Sequence, residues 1–155
     1  MIERLSPESR PLGKSGILVS PIAWGMWRLR GDDVAGARAL IEAALDSGIT
    51  LFDTADIYGF NGTGGFGDAE EALGRVLGEA PELRAQMVVA TKGGIIPGVP
   101  YDSSPGYLER ALDASLRRLG VEQVDLWQVH RPDLLAHPQE LAASLEKMVA
   151  SGKTR

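Results

Sequence analysis

Thr50-Leu51-Phe52-Asp53-Thr54-Ala55-Asp56-Ile57-Tyr58-Gly59 decides how the rest of the chain is read. Its apolar, β-favouring start from Ile49 to Phe52 predicts a short buried strand, and Asp53 falls where that strand gives way to a loop. Tyr58 follows five residues later, at the head of a glycine-rich segment. A carboxylate and a phenol are thereby aimed at one end of a sheet. Further along, residues 87–91 predict a strand that delivers Lys92, and residues 126–129 one that delivers His130. Four groups able to hold, orient or pass a proton, each where a strand meets its loop, make a candidate site.

The segments between these strands read as helices. Before the quoted stretch, Ile22-Ala23-Trp24-Gly25 predicts a strand that ends in a Gly25-Met26-Trp27 loop. Val34, Ala37, Ile41, Ala44 and Leu45 then share one helical face, and Gly48 suits the residue just past a helix C-terminus. Asp68, with Glu71 three residues on, predicts an N-cap for a helix carrying Ala72, Leu73, Val76 and Leu77. Ser104-Pro105 opens a third helix through Leu108, Leu112, Leu116 and Leu119 to Gly120. Pro138 opens a fourth, with Leu141, Leu145, Met148 and Val149, closing at Ser151-Gly152. Residues 5–20, broken by Pro11, Gly13 and Gly16, suit a small hairpin.

Four successive β-α units predict a parallel sheet with helices outside and strands shielded on both faces. The expected fold is therefore α/β, of the (β/α) TIM-barrel type, with about four β-α units and a hairpin in front. About eight strands are needed to close a barrel packed by side chains, so four leave it half built. Residues 153–155 stand where a fifth strand should begin. The expectation is one domain over residues 1–155, the N-terminal half of a barrel apparently cut at the start of strand five. It would stay open, pair with another chain, or continue in residues outside this sequence.

Composition narrows the function classes. At 155 residues, with 44% hydrophobic and 24% charged residues, the chain is long enough for one sizeable core. A formal net charge of −5 gives no basic footprint for nucleic acid or an anionic membrane. The absence of cysteine excludes disulfides and thiolate chemistry. The start Met1-Ile2-Glu3-Arg4 has no apolar signal core and no run is long enough to cross a bilayer, so a cytoplasmic location is expected.

In chemical terms, Lys92 could stabilise a Tyr58 phenolate, Asp53 could hold that lysine charged and in place, and His130 could orient a substrate oxygen by a hydrogen bond. The set could deliver a proton to a carbonyl oxygen while its carbon receives a hydride. Each residue also has a plainer reading: Asp53 and Lys92 as an ion pair setting strand register, His130 as a core histidine, Tyr58 as loop packing. Convergence of four compatible groups at one end of the sheet favours the site. Gly62-Thr63-Gly64-Gly65-Phe66-Gly67 has the letters of a dinucleotide fingerprint and would support a Rossmann-type dehydrogenase. It is separated from its strand by residues 54–61, which suits a loop beside the substrate better. Trp27, in a loop at the reactive end, is the best-placed tryptophan for stacking on a planar ligand.

Taken together, these residues resemble the aldo-keto reductases. The resemblance runs from Leu12-Gly13 through the quoted stretch, Ala90-Thr91-Lys92, Ser115-Leu116-Arg117-Arg118-Leu119, Val124-Asp125-Leu126 and His130-Arg131-Pro132 to Ser151-Gly152-Lys153. It implies an eight-stranded β/α barrel and reversible reduction of aldehydes or ketones by NADPH, without a metal. It also implies Tyr58 as proton donor, tuned by Lys92 and Asp53, with His130 orienting the carbonyl. Gly25, Met26 and Trp27, beside Asp53, match the loop that in the family lies against the nicotinamide. The family's Ser-Asn after strand five and its phosphate-binding segments have no counterpart in these 155 residues, so weak activity is expected of the chain alone. The alternative is a half-barrel without catalysis that associates with itself, or with a partner chain, through open sheet edges.

Overall fold

Side-chain alternation along four short strands places the core on one side of the sheet and the chemistry on the other. The computed structural model describes residues 8–29, 31–99 and 101–155; the start Met1-Ile2-Glu3-Arg4, expected to lack a signal core, lies outside them. A two-stranded antiparallel hairpin, β1 (Arg10–Pro11) and β2 (Leu18–Val19), comes first. It is followed by β3 (Ala23–Gly25), α1 (Val34–Asp46), β4 (Leu51–Asp53) and α2 (Asp68–Glu79). A 3-10 turn (Pro81–Gln86) then leads into β5 (Val88–Gly93), α3 (Pro105–Leu119), β6 (Leu126–Val129) and α4 (Pro138–Ala150). The four longer-range strands lie in the order β3-β4-β5-β6, all parallel. Neighbours in space are neighbours in sequence, as in a β/α barrel, whereas a doubly wound dinucleotide sheet reverses its order at a switch point. The Rossmann reading of the glycine run fails on this topology.

One face of the sheet packs on the helices. Phe52 and Val89, both fully buried, and Trp127 join Ile41 of α1, Leu73 and Val76 of α2, and Leu108, Leu112 and Leu119 of α3. Trp24 meets Phe52 edge-on at 5.7 Å. Burying a side chain such as Phe52 contributes about 1.5–3 kcal/mol. The other face carries the register partners Gly25, Asp53 and Ala90, then Lys92 beside Gln128. At its N-terminal end the hairpin covers Val88 and Leu51 with Ile17 and Val19. Toward the C-terminal end it opens, so the expected shielding on both faces holds for β5 but not for β3, where Ala23 and Gly25 are exposed.

Several boundaries differ from expectation for physical reasons. β5 continues through Lys92 to Gly93 because it keeps pairing with β6, which places Lys92 inside the strand. Gly67, left-handed at φ 94°, occupies the N-cap of α2, making Asp68 the first helical residue. The Arg118 side chain lies so close to Gly67 that a Cβ there would meet its Cδ at 2.5 Å. At the far edge, Thr154 pairs in parallel with Val124, just before β6, so residues 153–155 take the next place in the strand order. Among the described residues no helix is long and apolar enough to cross a membrane.

Candidate active site

Asp53 ends β4, Lys92 is the penultimate residue of β5, and His130 follows β6 directly. Alternation along parallel strands puts all three on the face away from the helices. Tyr58 reaches them from the turn after β4, which is closed by Tyr58 N–H donating to Ala55 O at 3.1 Å and tied to α2 by Ala69 N–H donating to Tyr58 O at 3.2 Å.

The structure brings the four side chains together. The Lys92 ammonium lies 2.7 Å from Asp53 Oδ2 and 2.7 Å from the carbonyl oxygen of Thr54. It also sits over the Tyr58 ring, 4.7 Å from the centroid. The Tyr58 and His130 rings meet edge to face at 5.7 Å. An ammonium has three protons, so with two acceptors taken, one proton remains for a ligand or the phenol. Burial, reinforced by the charges of Lys92 and Arg131, lowers the His130 pKa from its ordinary value, against the opposing pull of Asp53. The imidazole is therefore neutral at neutral pH, with one nitrogen free to donate a hydrogen bond. Its Nδ1 is buried without a partner among the described residues.

The first loop divides in two. Gly25 faces open space, with nothing within 4 Å of where a Cβ would be. Trp27 is 59% exposed, with the Arg28 guanidinium 4.6 Å over its ring. Both line the reactive end, and Trp27 borders an open groove shared with Asn61, Asp68 and Arg75. Met26 behaves differently: its side chain is buried in the main core, so only its backbone can approach a ligand. The glycine run folds on itself, since Asn61 Oδ1 accepts from the amides of Thr63 and Gly64 at 3.0 and 3.1 Å. Those amides are not available as a phosphate cradle. Among the described residues no cluster of three His, Asp or Glu side chains could hold a metal ion.

Reasoning from sequence missed a polar layer on the helix side of the same strands. Glu70, in the first turn of α2, is fully buried; it accepts from the Thr91 hydroxyl and pairs with Arg118 at 2.7 Å. Asp56 is buried two residues before Tyr58. An acid placed on the apolar face of α2 was the signal available for Glu70. Asp56 had none beyond its proximity to Tyr58.

With this geometry in place, comparison with known proteins is decisive. The sequence profile described as "Aldo/keto reductase family" matches residues 21–155. The chain belongs to that family. Among aldo-keto reductases and their relatives, a 6-dehydroglucose reductase of Novosphingobium aromaticivorans is 60% identical, the match covering 97% of this chain and 50% of that protein. The L-glyceraldehyde 3-phosphate reductase of Escherichia coli K12 is 39% identical, covering 93% of this chain and 42% of that protein. An aldo-keto reductase from Bacillus halodurans, solved in its holo form, superposes with a TM-score of 0.80 at 30% identity, over 95% of this chain and 48% of that one. The chain thus spans about half the length of the curated relatives it matches. It has the β/α arrangement of one segment of the aldo-keto reductase barrel, hairpin included.

Proposed function

We propose that this aldo-keto reductase chain carries the proton-transfer machinery for reducing an aldehyde or ketone to an alcohol, with NADPH as cofactor. The observation that carries the reading is the Lys92 ammonium held between the Asp53 carboxylate and the Tyr58 ring, with His130 edge-on to that ring. The residues present fit the nicotinamide end of such a cofactor: Gly25 leaves open space beside Asp53, and the exposed Trp27 offers a flat apolar surface. When bound, the cofactor supplies the hydride that goes to the carbonyl carbon.

The chain's own residues manage the proton. Tyr58 gives its phenolic proton to the carbonyl oxygen, and the positive charge of Lys92 stabilises the phenolate that remains. Asp53 and the Thr54 carbonyl fix the ammonium, so it does not reorganise as charge develops. Neutral His130 donates a hydrogen bond that orients the carbonyl. Identity of 60% with one 6-dehydroglucose reductase and 41% with another, from Agrobacterium fabrum, supports an oxidised sugar as the substrate.

The test is Tyr58→Phe, assayed by NADPH oxidation with 6-dehydroglucose, in the chain alone and joined to the second half of the Novosphingobium relative. Loss of about 10²–10⁴ in turnover is expected. Full turnover with phenylalanine at position 58 sinks the assignment. A second reading, self-association without catalysis, is favoured by the exposed end of β3. Sedimentation as a stable monomer would contradict it.

A further inference from the structure

Asp56 is a buried carboxyl beside the site that the proposed chemistry leaves unused. It is 1% exposed, and its backbone N–H donates to the carbonyl of Lys92 at 3.0 Å, stitching the Tyr58 turn to the strand that carries the lysine. Its carboxyl lies over the Cα of Gly93, the residue after Lys92. A Cβ at Gly93 would stand 3.1 Å from Asp56 Oδ2, 2.9 Å from Trp127 Cζ2 and 3.1 Å from the Ala111 methyl. The missing side chain of Gly93 is thus what admits the carboxyl, and Trp127 and Ala111 close the slot around it. Asp56 Oδ1 is buried without a hydrogen-bond partner among the described residues.

We propose that Asp56 is a positioning residue whose carboxyl, seated in the Gly93 slot, sets the Tyr58 turn over Lys92. The proposal rests on reading Tyr58 as the proton donor. One residue, Ile57, separates Asp56 from Tyr58, and one peptide unit separates the slot from the lysine. A change in the seat therefore reaches both partners of the reaction without touching substrate.

The seat favours a neutral acid. Burial first, then the nearby charge of Glu70 from α2, pushes the Asp56 carboxyl up to about 7; Arg118 of α3, the Ile57 N–H and Lys92 of β5 pull the other way. Tyr107, also on α3, faces it as well and is itself pushed up to about 12, by burial and then by the Asp56 charge. As pH rises through about 7, a charge forms in a slot lined by indole and methyl groups. The seat then loosens, and the Tyr58 turn with it.

NMR of the intact chain tests this in the wild type, without any substitution. The Asp56 carboxyl carbon is expected to titrate far above an ordinary aspartate, and the Tyr58 ring protons to shift in the same step. Asp56→Asn should abolish both titrations while keeping the low-pH Tyr58 shifts at high pH. Gly93→Ala, which fills the slot, should displace those shifts at every pH. A Tyr58 ring unmoved through the Asp56 titration, or unmoved by Gly93→Ala in a folded protein, overturns the proposal. Because these resonances report position and not turnover, they separate it from the role of Tyr58: full turnover in Tyr58→Phe would remove the proton donor and leave the seat standing.

Discussion

Glu70→Ala should be the most damaging single substitution on the helix side of the sheet. Glu70 is fully buried, one oxygen accepting from the Thr91 hydroxyl and the other from the Arg118 Nε at 2.7 Å, with the Arg118 Nη2 paired to that same oxygen at 2.7 Å. Truncation leaves the Arg118 guanidinium, only 17% exposed, without its carboxylate. Breaking a buried pair in this way costs about 3–5 kcal/mol, and the orphaned Thr91 hydroxyl adds about 1 kcal/mol. Arg118 already lies 5.9 Å from the Phe66 ring, which is partly exposed, so the guanidinium has an escape toward water. That argues for the lower end, about 4 kcal/mol with the hydroxyl included. With a urea m-value of about 2 kcal/mol per M, the midpoint should fall by about 2 M in equilibrium unfolding followed by circular dichroism. Replacing both residues, as Glu70→Leu with Arg118→Leu, should cost less than Glu70→Ala alone, because no charge is then stranded. A loss below about 1 kcal/mol for Glu70→Ala, or a double variant as unstable as the sum of its singles, would refute the reasoning.

Other expectations follow from the same geometry. The His130 imidazole should titrate below 6.5 in ¹⁵N NMR, and Lys92→Met should move that midpoint upward, since burial and the Lys92 charge are the two largest causes holding it down. Asp125 accepts from Val89 N–H at 2.9 Å and pairs with Arg84 and Arg155 at 2.9 and 2.8 Å, so Asp125→Ala should lower stability by about 3 kcal/mol in urea unfolding. The Asp56 carboxyl is raised from 3.8 to about 7, so its favourable contribution is complete below the unfolded value and is lost as pH rises toward the folded one. Stability should fall by up to about 4 kcal/mol across that window, and Asp56→Asn should flatten the slope.

Much of this was legible in the sequence because it is periodic. The leucines of α3 at 108, 112, 116 and 119 and the apolar runs before Asp53 and His130 mark one helix and two strands by spacing alone, and each was found where expected. The four candidate side chains were recoverable because each sits at or just past a strand end. Where the reading failed, the cause was tertiary. The end of β5 depends on pairing with β6, which its own residues do not announce. The cap of α2 is a glycine because an arginine 51 positions later crosses it. Met26 reads as part of a ligand loop, yet its side chain finds the core.

Thr91 and Lys92, adjacent on β5, answer to opposite sides of the sheet. Were the strand to slip by one place against its neighbours, the threonine hydroxyl would face the open side and the ammonium would be driven among the helices. Glu70 penalises that error, since its carboxylate would lose its hydroxyl donor and Asp53 its counterion in the same movement. The acid behind the sheet thus serves as a key for strand alignment, so the lysine's placement during folding is proof-read from the side it never touches.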